Sequence, residues 1–190
     1  MNIKFFRPLT GLTGLFLSLA LMAQAQEYVS PTKPAETGKS PGVKLKLLDS
    51  TGQIQHYVII FAKGDKVVSG LTEFAETHHV RSAQYTAIGD AISGKVGWYD
   101  YNRKMFKVIP INRPCEVTSL IGDIAVYNGK AVAHSHINLA DEDGISHGGH
   151  LLELIIGPTL EVFVTVYQSS LYKKLSPEFN AGVIDPFLDK

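Results

Sequence analysis

Apolar and polar positions alternate along most of this chain with a period of two, the mark of strands with one buried face. Val43, Leu45 and Leu47 alternate with Lys44 and Lys46. Thr51-Gly52 turns the chain into a second strand, His56 to Ala62, apolar from Tyr57 to Phe61. The period changes once. Val67, Leu71, Phe74 and His78 fall at helical spacing, so Lys66 to His79 is predicted as the single helix, with Asp65 as its N-cap.

From Arg81 onward the pattern returns to strands and turns. Ser82 to Gly89 and Gly94 to Tyr99 read as strands, and Asp100 to Arg103 as the hairpin connection into Met105 to Ile111. Glu116 to Leu120 and Asp123 to Tyr127 follow. Asn128-Gly129 is the strongest hairpin signal, because both residues tolerate the positive φ of a tight turn. Its return strand is Lys130 to Leu139. A polar loop, Ala140 to Gly149, precedes Leu151 to Ile156, and Gly157-Pro158 turns into Leu160 to Gln168. Many strands and one helix predict an α+β fold built on a largely antiparallel sheet.

The ends read differently. Lys4 and Arg7 precede an apolar run from Leu12 to Met22, too short for a comfortable membrane span, and Ala23-Gln24-Ala25 has the small-x-small form of a signal-peptidase site. Residues 1–25 are therefore expected to be a signal peptide, leaving no stable membrane span after cleavage and a periplasmic or secreted protein. Residues 26–42, with Pro31, Pro34, Pro41, Gly38 and Gly42, read as a flexible linker. The folded domain is expected over 43–175, and 176–190 is left as a C-terminal tail.

Composition narrows the function. The 190 residues carry 45% hydrophobic and 19% charged residues, enough apolar surface for one domain with a sizeable core. Lys+Arg and Asp+Glu each total 18; removing Lys4 and Arg7 and no acid turns a net charge of zero into −2. Such a chain has no electrostatic excess to hold nucleic-acid phosphates, so DNA is an unfavoured partner. A single cysteine, Cys115, excludes an internal disulfide and reads as buried filler. The aromatic cluster Trp98-Tyr99-Asp100-Tyr101 is read as flanking a hairpin. Asp141 to Gly144 is acidic, lacks the spacing of a calcium loop, and is taken as a solvated turn.

Candidate chemistry lies in the histidines. His134 and His136, two apart on a predicted strand, share one face at roughly 6.5–7 Å between Cα atoms. His147-Gly148-Gly149-His150 follows, and its glycines allow close backbone approach, so His150 can close a three-histidine metal site with one position open. Zinc is the expected ion, with iron, nickel and manganese as the alternatives. His147 is left out as a solvated loop residue, and His78 and His79 are read as structural.

The segments Cys115 to Gly122, Ala133 to His136, Asp141 to Gly144 and Gly148 to Leu152 together resemble the Plants and Prokaryotes Conserved (PPC) domain, over roughly Leu45 to Leu175. The resemblance implies a compact α+β subunit assembling as a homotrimer, with metal bound at the histidines; plant relatives join the domain to a DNA-gripping AT-hook, which this sequence lacks. The same histidines are similar to the zinc segment of acetolactate decarboxylase, which implies His134, His136 and His150 as the ligands. The decarboxylase's catalytic groups find no match here, so catalytic residues are unassigned, and Glu116 is the acid singled out for the pocket. The expected function is an exported metal-binding protein taking a small polar or anionic ligand, the alternative a metal-dependent enzyme acting on a small oxygenated substrate.

Overall fold

The computed structural model describes residues 25–189. The proposed leader lies outside them up to residue 24. In chain order the elements are β1 (Tyr28–Val29), β2 (Lys44–Thr51), β3 (Ile54–Ala62), α1 (Val67–Thr77), β4 (Ser82–Asp100), β5 (Met105–Ile111), β6 (Cys115–Tyr127), β7 (Lys130–Ala140), β8 (Ser146–Val166), β9 (Tyr172–Ser176) and β10 (Ala181–Asp185). The fold is α+β: ten strands form one sheet, antiparallel except where β9 joins β6, and α1 is the α-helix among the described residues.

The sheet runs β1-β5-β4-β6-β7-β8-β3-β2, with a further pairing of β4 to β8. That pairing makes β4, β6, β7 and β8 a closed ring. Its two long members are shared between neighbours: Tyr85 and Gly97 on β4 face Val164 and His150 at opposite halves of β8. Inside lie Tyr85, Leu120, Ile137, Leu139, Leu154 and Leu160, and α1 adds Val67, Leu71 and Phe74 to the same core. Gly70 has a reason to interrupt the helix, because a side chain there would strike the ring of Phe61. The ring of His78 packs 5.2 Å from Phe74 and 5.7 Å from Tyr57.

Several expectations need correction. The strands read as Ser82 to Gly89 and Gly94 to Tyr99 are one, β4, and those read as Glu116 to Leu120 and Asp123 to Tyr127 are one, β6. Register shifts let these long strands bend without ending. Gly157-Pro158 is likewise no turn. It sits inside β8 where the β4 ladder skips from Ile156 to Leu160, so the proline's missing donor leaves no gap in the pairing. Asp65 does not cap α1, which has no side-chain cap. Its buried carboxylate instead accepts the backbone N–H groups of Gly42 and Ala62, each at 2.9 Å.

Nor is 26–42 a free linker. β1 pairs with β5, the Ser69 hydroxyl accepts the Lys39 N–H at 3.1 Å, and the buried Ser40 hydroxyl donates to the Lys66 carbonyl at 2.6 Å. The segment is polar, and it docks through backbone hydrogen bonds that hydropathy does not register. At the other end, β9 and β10 extend ordered structure past Leu175 as a hairpin.

Candidate metal centre

The site is built by a two-residue turn and two ladders. Asn128 and Gly129 both have positive φ, 51° and 80°, closing β6 onto β7. Tyr127 then faces Lys130, Asp123 faces His134 and Ile121 faces His136. Along β7, Ser135, Ile137 and Leu139 turn into the core, which sends His134, His136 and Asn138 to the opposite face. β8 returns antiparallel and sets His150 directly opposite His136.

The three histidines named from the sequence therefore converge. Their ligand nitrogens lie within 4.8 Å of one another, and their ring centroids are separated by 5.1 to 5.5 Å. The glycines do what was expected of them. A Cβ at Gly149 would lie 2.8 Å from the Gly97 carbonyl, so only a bare backbone lets β8 come this close to β4 beside His150. Gly97 in turn leaves room for Phe106, whose ring stacks on His150 at 4.1 Å and 11°. Tyr99 packs edge-on to both Phe106 and Tyr101, so the aromatic cluster flanks its hairpin and also backs the wall of the site.

At His136 and His150 the electrostatics favour the neutral imidazole, the form that binds metal. Burial, reinforced by the neighbouring charges of His134, His136 and Lys173, pushes His150 down to about 3. Burial, then His134, also lowers His136. His134 is held differently. Its Nδ1 lies 3.0 Å from Asp123 Oδ2. A carboxylate there accepts the Nδ1–H and leaves Nε2 with its lone pair free for an ion, the carboxylate–histidine arrangement of metal sites. Burial works against the charge on Asp123, yet the His134 hydrogen bond and the charge of Lys173 outweigh it and hold the carboxyl below its ordinary value. Lys173 Nζ stands 3.1 Å from Asp123 Oδ1, an ion pair whose angle falls short of a hydrogen bond. Three imidazole nitrogen donors at this spacing, one oriented by a carboxylate, fit a divalent transition ion with a position left open.

Asp123 and Lys173 escaped the sequence reading. The signal for Asp123 was present: counting back from the Asn128-Gly129 turn pairs it with His134. Lys173 had none, since it arrives from a strand distant in sequence.

The remaining candidates lie elsewhere. His147 is in β8 rather than in a solvated loop; it is opposite Leu139, and its Nε2 is 2.9 Å from Asp141 Oδ2. Asp141 is itself buried and accepts the backbone N–H of Asp143 and Ile145, so the acidic turn is organised around it. Glu116 does not join the histidines. It faces Asp90 across β4–β6, and that neighbouring carboxylate raises its carboxyl above the ordinary value. Five residues along β6 separate it from Ile121, the partner of His136, roughly 16 Å at strand rise. A depression of about 210 Å³ beside His136 is lined by Ser119, Ile121, Ile137, Asn138 and Gly149. Cys115 is buried, which raises its thiol, in keeping with filler.

A profile of the Plants and Prokaryotes Conserved domain (abbreviated PCC or PPC) matches residues 48–168. The chain belongs to the PPC family. Among solved structures, a PPC protein from Pyrococcus horikoshii is 26% identical with a TM-score of 0.66, covering 74% of this chain and 100% of its own. A protein from Ralstonia eutropha JMP134, named a candidate DNA-binding protein, is 34% identical with a TM-score of 0.64, covering 68% of this chain and 90% of its own. The metal-containing protein from Archaeoglobus fulgidus is 23% identical with a TM-score of 0.64, covering 74% and 96%; that likeness shows the shared fold alone. No curated protein matches the sequence.

Proposed function

We propose that this PPC protein is an exported, homotrimeric metal-binding protein. His134, His136 and His150 hold one divalent transition ion, zinc by expectation, and the open position takes a small polar or anionic ligand. The observation that carries the reading is the convergence of three imidazole nitrogens within 4.8 Å, with the His134 tautomer set by Asp123. The name of the metal-containing Archaeoglobus relative points the same way. When bound, the ion supplies a Lewis acid that polarises an oxygen ligand and neutralises its charge. The protein's own part is to keep His136 and His150 neutral, to aim His134 Nε2, and to wall one side with Phe106.

The depression beside His136 suits a small molecule. It offers the Ser119 hydroxyl and the Asn138 amide, with no carboxylate among its lining residues. Both groups can orient a small polar ligand through hydrogen bonds, the binding reading; a decarboxylase-like enzyme is the alternative. The trimer reading draws on the family and on an apolar patch. Ile121 and Phe163, 56% and 50% exposed, flank Thr86 on one row of the sheet, with Ile88 beside them at 59%. Such a patch rewards coverage by another copy. DNA binding, which the name of the Ralstonia relative raises, has little charge behind it: cations and anions balance at 18 each.

Elemental analysis of the purified mature protein beside its His136→Ala variant tests the reading. One ion per chain in the parent and none in the variant supports it; a metal-free parent grown with the metals present rejects it.

A further inference from the structure

The matched family segment ends at residue 168, and the hairpin β9–β10 follows it. The hairpin is no loose appendage. β9 returns to run parallel with β6, with Tyr172 beside Val126 and Lys173 beside Tyr127. Val126 N–H donates to the Leu171 carbonyl at 2.8 Å, and Arg81 donates to the buried Tyr172 hydroxyl at 3.0 Å.

Lys173 is the unusual residue of this contact. Its side chain is only 6% exposed, whereas a lysine is almost never buried without a partner. The partner is Asp123 Oδ1, a buried oxygen that accepts no hydrogen bond of good geometry. The other oxygen of the same carboxylate lies 3.0 Å from Nδ1 of His134. Asp123 is thus held at both ends, by a cation from the C-terminal hairpin and by a candidate metal ligand from β7.

We propose that Lys173 is a positioning residue of the metal centre: by fixing the second oxygen of Asp123, it stops the carboxylate turning and keeps His134 Nε2 aimed at the ion. The C-terminal hairpin is then part of the site, although it lies past the family segment and none of its side chains ligates. Coupling of this kind is reciprocal, so metal binding strengthens the docking of β9 by the same factor that docking strengthens metal binding. The inference rests on the metal reading above and adds a residue to it.

The test uses the full mature chain. Zinc affinity is measured by competition with a chromophoric chelator, the Co²⁺ absorption spectrum reports ligand geometry, and melting of the metal-free form reports folding. Lys173→Met is expected to weaken zinc by about tenfold or more and to alter the Co²⁺ spectrum, while Lys173→Arg restores most of both. In an Asp123→Asn background, Lys173→Met is expected to cost nothing further. That second cycle can be read from Lys173→Gln should the methionine variant not fold. Parental affinity and spectrum in Lys173→Met would overturn the proposal. So would an undiminished loss in the Asp123→Asn background, or equal losses for Met and Arg with equally lowered metal-free melting, which would mark a folding role alone. A parent chain that binds no zinc or cobalt is a different result, and rejects the metal reading itself.

Discussion

His136 and His150 are direct partners across the β7–β8 ladder, their rings 5.5 Å apart and nearly perpendicular. His134 joins them from the same face of β7. All three candidate ligands therefore stand on strands, where cross-strand spacing holds neighbouring side chains within about 5 Å at the Cβ atoms. Sites carried on strands are positioned more tightly than sites carried on loops.

Single alanine replacements of His134, His136 and His150 are each expected to abolish stoichiometric metal at neutral pH. His147→Ala is expected to retain it, because His147 is committed to Asp141. Metal content and chelator competition on the four variants check this. Comparable losses for His147 and His150 would break the ligand assignment.

Acid should destabilise the metal-free protein through His150. Its ordinary value is 6.5 and burial lowers it to about 3 in the fold. Below 6.5 the unfolded chain gains a proton at this residue and the folded chain does not, so stability is complete above 6.5 and drains away as pH falls toward 3. The loss from this group by pH 4 is about 3 kcal/mol. Denaturant melts from pH 7.5 to 4 should show the slope in the parent and a shallower one in His150→Gln; parallel slopes would remove His150 as the cause.

Gly149→Ala should act on the fold and the site together. The added methyl meets the Gly97 carbonyl oxygen at 2.8 Å, a backbone atom that cannot swing aside, so β8 must move away from β4. Overpacking of this kind costs about 1–3 kcal/mol. Metal affinity should fall too, because His150 is the next residue. Gly144→Ala tells the effect apart from a general glycine effect: it meets open space, although its φ of +74° is strained, so it should lower stability while leaving metal affinity near that of the parent. Equal metal affinity in the two variants would count against a close-packed β4–β8 contact at His150.

Export predicts a mature chain that starts at Gln26 and is recovered outside the cytoplasm. N-terminal sequencing decides it; intact Met1 on cytoplasmic protein rejects the leader. Gln26 already has a place on the domain, donating through its side chain to the Val108 carbonyl at 2.8 Å.

The trimer predicts a light-scattering mass near three mature chains. Replacing Ile121 with aspartate puts a charge into the exposed patch and should lower that mass. A parent that scatters as a monomer at micromolar concentration removes the assembly.

The sequence made the strands and the histidine face legible because both are local. Period-two alternation placed His134 and His136 together, and Asn128-Gly129 fixed a turn that the backbone adopts. That turn also sets the register, so Asp123 could have been found opposite His134 by counting outward from it. What depends on distant segments was not legible. Asp65 looks like a helix cap locally, but its oxygens are taken by Gly42 and Ala62. Residues 26–42 look like a tether because they are polar, yet their backbone groups find partners on α1 and β5. Lys173 is one exposed-looking lysine of a pair until β9 folds back along β6.

The closed ring of β4, β6, β7 and β8 has a consequence for how the protein would acquire its ion. His150 reaches the other two ligands only after β8 has docked against both β7 and β4. An unfolded chain offers three scattered imidazoles and no preformed cage, so capture follows folding. A chain that crosses a membrane before it folds arrives empty. Were this chain exported in that way, the metal it took up would depend on what its destination supplied as much as on the site, since affinity alone does not choose among such ions.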